Sequence, residues 1–207
     1  KCGTFDENKI HQNVNQPIQV VYAGKLYCNR WKTLKMLAEA IGKVNNDYGK
    51  TMIQLNIYTA DDITKKQDRV LNDGVHSIIH GCVPATELPS IYEKSDIVLH
   101  VESFDKKNRL LTQDSFSTKV MDCLASGCAV MALCWEGHAA YQYLKKMNAA
   151  ITASSNEEIY LKVRKLVQNP EIVCKYAKRA YECGKKNHQR RDIQKMLRDD
   201  FTMVIEE

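Results

Sequence analysis

Short apolar runs alternate with segments of helical spacing along most of the chain. The first run, Ile18–Ala23, reads IQVVYA, and in residues 31–44 apolar side chains then recur every three or four positions, as on one face of a helix. The alternation continues to a short strand predicted at residues 148–151, after which only helical patterns follow. Strands that alternate with helices favour an α/β fold with a doubly wound, Rossmann-like parallel sheet of about six strands and helices on both faces.

Element bounds follow from the breaks in this pattern. We predict strands at residues 18–23, 52–58, 75–80, 96–101, 129–133 and 148–151. Helices are predicted at residues 31–44, 61–71, 86–94, 117–126, 138–146, 155–168, 170–184 and 188–204, with a polar loop over residues 102–113. Residues 1–17 are predicted to form a linker or arm, residues 18–185 the α/β domain, and residues 186–207 a helical C-terminal tail.

Composition excludes several classes of protein. The 207 residues are 44% hydrophobic and 27% charged, and the mean hydropathy is −0.43. No apolar run approaches the ~20 residues that cross a bilayer. The net charge of +5 comes from 30 basic and 25 acidic residues, a mixed balance that does not indicate a nucleic-acid binder. Basic residues are densest between residues 175 and 191, which is typical of a solvated helix face or of weak attraction to an anionic membrane surface.

The cysteines and acidic residues indicate neither disulfides nor a metal centre. None of the eight cysteines is spaced C-x-x-C, and several lie in apolar runs, where a free thiol behaves as a small hydrophobic group. This usage is typical of a reduced, cytosolic protein. The sequence also lacks a D-x-D acidic pair, so we expect no bound metal and no cofactor.

The loop after the first predicted strand is the first candidate for chemistry. Gly24 ends that strand, and Lys25 and Arg30 flank the loop before the next helix. In a doubly wound fold, ligands bind outside the carboxyl ends of the strands. A glycine there lets the backbone approach a ligand, Lys supplies a point charge, and Arg offers a fork for two phosphate oxygens. The pattern predicts a diphosphate site, and a glycine-terminated turn with solvated cations is the alternative.

The second candidate is residues 114–122, DSFSTKVMD, at the start of a predicted helix. Asp114 or a serine is placed to cap this helix, and the first-turn N–H groups attract anions. Asp114 and Asp122 are eight residues apart, or ~12 Å along a helix axis. They are too distant to share a proton but could hold opposite ends of one elongated ligand. The alternative is a cap and an ordinary surface carboxylate.

Several segments, in order, resemble the donor-binding half of GT-B glycosyltransferases. They are residues 22–34, beginning YAGKL, Val83 with Pro84, residues 88–98 (LPSIYEKSDIV) and residues 117–127 (STKVMDCLASG). The resemblance covers about residues 18 to 185. It is strongest to the retaining group 1 type that builds bacterial polysaccharides.

The resemblance implies roles for individual residues. Lys25 and Arg30 take the positions of an Arg and a Lys that bind the donor diphosphate in the family. Asp114 and Asp122 fall at two glutamates, one contacting sugar hydroxyls and the other the ribose, while Glu102 is a second candidate for the sugar contact. By this resemblance the catalytic residues are Lys25, Arg30 and Asp114, and the substrate-binding residues are Gly24, Val83, Ser115, Phe116, Ser117, Thr118, Lys119 and Asp122.

The same resemblance implies an activity and its partners. The chain is expected to be the donor-binding half of a hexosyltransferase-type enzyme that moves a sugar from a nucleoside-diphosphate sugar to a glycan or lipid-linked acceptor, in polysaccharide biosynthesis. The acceptor would bind to a separate N-terminal domain, on which residues 186–207 would pack, and the chain alone would be an inactive fragment. The expected location is cytoplasmic, with peripheral contact to the inner face of the membrane, and no nucleic acid is an expected partner.

A second hypothesis remains open from the residues alone. A non-catalytic, flavodoxin-like α/β module that binds a nucleotide or a protein partner would show the same alternation of strands and helices. It would have no affinity for nucleoside diphosphates.

Overall fold

The computed structural model describes residues 2–113 and 115–206, which form one parallel sheet flanked by helices. The strands are β1 (Ile18–Ala23), β2 (Ile53–Tyr58), β3 (Ser77–Gly81), β4 (Ile97–Val101), β5 (Ala129–Leu133) and β6 (Ile151–Ala153). All neighbouring strands pair parallel, in the order β3-β2-β1-β4-β5-β6. This is the strand order of the Rossmann fold and not the flavodoxin order, so the predicted fold class is confirmed.

Helices connect the strands and continue after the last one. They are α1 (Arg30–Tyr48), α2 (Lys65–Leu71), α3 (Leu88–Glu93), α4 (Lys106–Thr112), α5 (Lys119–Leu124), α6 (Ala139–Lys146), α7 (Asn156–Gln168), α8 (Glu171–His188) and α9 (Arg190–Glu206). A short 3-10 turn, Glu7–Lys9, precedes the sheet. Among the described helices, none is long and apolar enough to span a membrane.

The sheet separates two apolar cores. Val20 and Tyr22 of β1 face the core that contains α1 and α7, whereas Val21 faces the core that contains α5, α6 and α8. Successive side chains of a strand point to opposite faces, and all three are 0–1% exposed. Burial on both faces explains the nearly continuous apolar runs in the strands.

The first residues of the chain pack against this domain. Phe5 is buried against Tyr181 and Gly184 of α8. Asn15 donates its backbone N–H to the carboxylate of Asp96, which also accepts the N–H of Gln19 at 2.6 Å. The segment predicted as an arm is therefore held in place by apolar contacts and by a buried carboxylate, and the division of the chain into domains stays a prediction.

Several predicted element bounds are wrong. The strand predicted at residues 148–151 lies at Ile151–Ala153, and the helix predicted at residues 31–44 extends to Tyr48. The helix predicted from residue 61 begins at Lys65, because Thr64 forms a capping box with Gln67. Asp61 instead accepts a hydrogen bond from the loop after β1. The loop predicted over residues 102–113 contains α4, capped by Asp105. The helix predicted at residues 117–126 is shorter and extends only from Lys119 to Leu124.

Candidate active site

A two-lobed cleft lies at the carboxyl edge of the sheet, around the point where the strand order reverses between β1 and β4. Doubly wound sheets bind ligands at this position. One lobe, of 290 Å³, is mainly apolar and is lined by side chains that include Tyr58, Val83 and Leu88. The other, of 200 Å³, is polar and is lined by Arg30, Glu102 and residues 117–119. Lys25 and Lys119 line both lobes, so cations stand at their junction.

Arg30, the first residue of α1, is held by a carboxylate from the neighbouring strand. Its Nε and Nη2 donate to Glu102 Oε2 and Oε1, at 3.0 and 2.8 Å. Burial opposes the charge of the guanidinium, but the two-point bond to Glu102 outweighs it and raises the pKa of Arg30. Two of the five guanidinium N–H groups are bonded to Glu102. The guanidinium also lies 4.6 Å from the ring centre of Tyr27, which helps to raise the pKa of Arg30. Glu102, which follows β4, is thus a partner of Arg30.

Lys119 is a third cation in the cleft, and it is partly buried. Its Nζ donates to the carbonyl of Ala23 at 2.6 Å and lies 5.0 Å from the ring centre of Tyr22. Burial lowers the pKa of this amine. Gly24 makes the arrangement possible, because a Cβ at this position would collide with the Lys119 ammonium. The glycine therefore leaves room for the Lys119 ammonium at the end of β1.

The loop after β1 is shaped by two further side chains that the sequence did not single out. Tyr22 donates its hydroxyl to the carbonyl of Lys25 at 2.6 Å, and burial raises the pKa of that hydroxyl. Asp61, which follows β2, accepts the backbone N–H of Leu26 at 2.5 Å. These bonds hold the backbone on both sides of Lys25, whose side chain is exposed to the cleft.

Two more hydrogen bonds join the start of α1 to the loop after β4. Thr33 donates its hydroxyl to the carbonyl of Glu102 at 2.9 Å. Asn29 donates its amide to Asp105 at 3.0 Å, and Asp105 also accepts from Ser103. Burial opposes ionisation, but the Ser103, Asn108 and Asn29 donors together lower the pKa of Asp105. The two loops on either side of the topological switch are thus fastened together.

The structure brings together most of the site residues predicted from sequence. Gly24, Lys25, Arg30, Val83, Ser117, Thr118 and Lys119 line the cleft. The charge of Asp122, within α5, acts on Lys119. Ser115 and Phe116 line neither lobe, and the Phe116 ring instead packs edge-on against Tyr143 at 5.4 Å. Asp114 lies outside the described residues.

The start of α5 differs from the capped helix predicted there. Thr118 precedes the helix in a helical conformation and caps nothing with its side chain. Ser117 instead accepts the backbone N–H of Lys119 at 3.3 Å. This segment presents hydroxyls and an ammonium to the polar lobe.

A buried cluster lies behind the polar lobe. His100, Cys134 and His138 place ligand-type atoms within 4.8 Å of one another. Burial, the His138 ring and the charges of Lys119 and Arg30 together lower the pKa of His100 to about 3. Because His138 Nδ1 accepts the N–H of Ala140, its neutral ring carries the proton on Nε2. That tautomer and the nearby cations make the cluster a poor fit to a metal ion.

Solved glycosyltransferase structures share this fold. The C-terminal domain of a glycosyl transferase group 1 family protein (LpcC) from Francisella tularensis superposes with a TM-score of 0.65 at 16% identity, over 90% of this chain and 96% of that one. The pneumococcal O-GlcNAc transferase GtfA gives 0.68 at 14% identity, over 99% of this chain. Sucrose-phosphate synthase from Thermosynechococcus elongatus gives 0.69 at 15% identity, also over 99%. The chain covers only 39% and 51% of these last two proteins.

Sequence comparison adds a family to the fold. No curated protein sequence matches the chain. A family model described as glycosyl transferase-like matches residues 12–198, a stretch that contains the whole sheet and both lobes of the cleft. The chain therefore belongs to the glycosyl transferase-like family and has the fold of a GT-B glycosyltransferase C-terminal domain.

Proposed function

We propose that this chain binds a nucleoside-diphosphate sugar in the cleft and is the donor-binding half of a glycosyltransferase. The observation that carries the proposal is the convergence of Lys25, Arg30 and Lys119 at the topological switch, beside an apolar lobe. A nucleoside-diphosphate sugar has an aromatic base with apolar faces at one end and a doubly charged diphosphate in its middle, so the two lobes match these two parts. Two proteins that share the fold hold such ligands, UDP with GlcNAc in one and UDP-glucose in the other.

The ligand's orientation follows from the chemistry of the lobes. The base lies in the apolar lobe, near Val83 and Tyr58, and the diphosphate lies at the junction. Lys25 approaches from the solvent side, and Lys119 from the start of α5. Arg30 contributes the guanidinium N–H groups that Glu102 leaves unused. Asp122 is proposed to contact the ribose, and Asp114 or Glu102 the sugar.

The same cations have a catalytic role in this proposal, once the acceptor domain is present. When the bond between the anomeric carbon and the diphosphate oxygen breaks, negative charge grows on that oxygen. Cations already fixed in place stabilise this charge without reorganising, an effect that can lower a barrier by several kcal/mol. We propose that the three side chains supply this neutralisation without a divalent ion. The stereochemical outcome, retention, stays a prediction.

The acceptor side of the reaction belongs to another domain in this proposal. Met196, Leu197 and Phe201 on α9 are 45–65% exposed, and Leu197 and Phe201, four residues apart, lie on the same side of the helix. We propose that α9 packs on an N-terminal domain, which binds a glycan or lipid-linked acceptor for polysaccharide synthesis at the cytoplasmic face of a membrane. The hexosyl transfer then needs both domains, and this chain alone binds donor without turnover.

Calorimetric titration with UDP, GDP and ADP tests the donor site. Lys25→Ala should weaken the binding of the preferred nucleotide by about 1–3 kcal/mol, as expected for loss of a charge-assisted bond. Lys32→Ala is the matched control, because Lys32 is an exposed lysine on α1 that does not line the cleft. The same affinity in wild type and Lys25→Ala would contradict the site. Failure of all three nucleotides to bind would favour the non-catalytic module.

A further inference from the structure

A second cavity lies at the opposite edge of the sheet from the cleft. It has a volume of 420 Å³ and is formed by the end of α6, the start of β6, the end of α7 and the first half of α8. Five cationic side chains line this basic pocket, namely Lys145, Lys162, Lys165, Lys175 and Arg179. No Asp or Glu is among the described residues that line it. The pocket is therefore a concentrated site of positive charge.

The pocket has an apolar floor, and the guanidinium of Arg179 is held in position beside it. Ala150, Ile151 and Leu166 are buried beneath it. Asn148 adopts a left-handed backbone conformation, with φ of 51°, and its side-chain oxygen accepts from Arg179 Nη1 at 3.1 Å. The guanidinium carbon also lies 5.0 Å from the centre of the Tyr176 ring, within the range of a cation–π contact. These contacts fix Arg179 and leave most of its N–H groups for an acceptor.

Helix dipoles explain only part of this charge. Lys145 and Lys165 lie in the last turns of α6 and α7, where a cation compensates the partial negative charge. Lys162, Lys175 and Arg179 lie outside the last turns of their helices. Within the described part of the chain, Lys145 is also the one lining cation with a salt bridge, to Glu136 at 3.8 Å. The dipoles of α6 and α7 therefore do not account for Lys162, Lys175 and Arg179.

We propose that the basic pocket binds a phosphate-bearing ligand. Phosphate groups match its chemistry, since they carry up to two charges and accept from both an Arg fork and Lys point charges. The ligand is either the headgroup of an anionic phospholipid or a soluble phosphate compound, and both present the same group. The pocket lies at the amino end of β6, away from the proposed donor site, and this inference does not depend on nucleotide binding.

Charge-matched double variants test the pocket on the full chain. Lys165→Ala with Lys175→Ala removes two lining cations. Arg164→Ala with Lys178→Ala removes the same charge from exposed positions on the same two helices, neither of which lines the pocket. Sedimentation with phosphatidylcholine vesicles, with and without phosphatidylglycerol, measures binding to an anionic lipid headgroup. Amide NMR titration with pyrophosphate measures binding of a soluble phosphate compound. Chemical-shift changes near residues 148–152 report binding in the basic pocket, and changes near residues 24–30 report binding in the proposed donor site.

The outcomes distinguish the sources and can overturn the proposal. If Lys165→Ala with Lys175→Ala (the pocket pair) lowers the affinity for phosphatidylglycerol vesicles by about tenfold or more, and the exposed control pair does not, the ligand is a lipid headgroup. Pyrophosphate-induced shifts at the pocket amides that the pocket pair abolishes identify a soluble ligand. Equal losses in the two pairs would show general surface charge, and absence of binding to either probe would show no ligand site. Either of these last results overturns the proposal.

Discussion

Arg30 and Glu102 join the two loops of the topological switch through two parallel hydrogen bonds, Nε to Oε2 at 3.0 Å and Nη2 to Oε1 at 2.8 Å. The side chains are only 16% and 4% exposed. The pair fixes the guanidinium at the wall of the polar lobe and partly neutralises it. Net positive charge in the cleft therefore comes mainly from Lys25 and Lys119.

Glu102→Gln should destabilise the fold. The variant keeps the size and one acceptor of the side chain, but it leaves Arg30 with no counter-charge in a largely buried position. Breaking such a pair typically costs about 3 kcal/mol or more, and the free energy of unfolding from urea titration measures it. Glu39→Gln is the control, because Glu39 pairs with Lys35 at an exposed position, where a loss below about 0.5 kcal/mol is expected. Equal effects of the two substitutions would contradict the structural role of the pair.

Lys119→Met should weaken nucleotide binding while sparing the fold. Methionine keeps most of the side-chain length without the ammonium, so the cleft loses one of its cations. We expect affinity for the preferred nucleotide to fall by about 1–3 kcal/mol and the unfolding free energy to change by no more than about 1 kcal/mol, since the lost bond to Ala23 is offset by relief of a buried charge. Calorimetry and urea unfolding measure the two quantities. Unchanged affinity would remove Lys119 from the site.

Asp61→Ala should act on the cleft through the loop that it holds. The N–H of Leu26, a buried residue, would lose its acceptor, at a cost of about 1–2 kcal/mol in unfolding free energy. Nucleotide affinity should fall as well, because Lys25 is next to the released backbone. Asp61→Asn keeps an acceptor oxygen and should recover most of both losses. Asp62→Ala, at the exposed neighbouring position, should change neither, and a failure of Asn to rescue would refute this account.

His100 should make stability depend on acid pH. Its pKa is lowered from 6.5 to about 3 by burial, by the His138 ring and by Lys119 and Arg30. Below about pH 6.5 this histidine is protonated in the unfolded chain but stays neutral in the folded chain. The free energy of unfolding therefore falls as pH falls from 6.5 towards 3. The slope is about 1.4 kcal/mol per pH unit well below 6.5. Urea titrations at pH 6.5 and 5 should show a smaller loss in His100→Asn than in wild type, and an identical loss would contradict the shift.

The fold was largely predictable because its pattern is local. β1 and β5 have the bounds that the apolar runs predicted, Ile18–Ala23 and Ala129–Leu133. Strands covered on both faces must be apolar along their length, and the sequence shows this directly. Helix starts were less predictable. Asp61 and Asp62 are residue types that cap helices as readily as Thr64 does, yet α2 begins after Thr64.

The sequence also predicted which loops contribute to the site, but not how their charges pair. The carboxyl ends of parallel strands meet at one edge, so Lys25 and residues 117–119 could be expected there together. The sequence left Glu102 as a candidate for the sugar contact. The adjacency of β1 and β4 places Glu102 against Arg30, a pairing that the sequence did not show. Strand order is a property of the whole sheet, which no local pattern contains.

By itself, the sequence determined the alternation of strands and helices, the family resemblance and the residue types at the sheet edge, since each of these is carried by short-range spacing. Only the tertiary structure decided the two lobes of the cleft, the burial of Lys119 beside Gly24 and the collection of cations from α6, α7 and α8 into one pocket. Such features join residues that are far apart along the chain. Their energies depend on distance and burial, which are defined only once the elements are packed together.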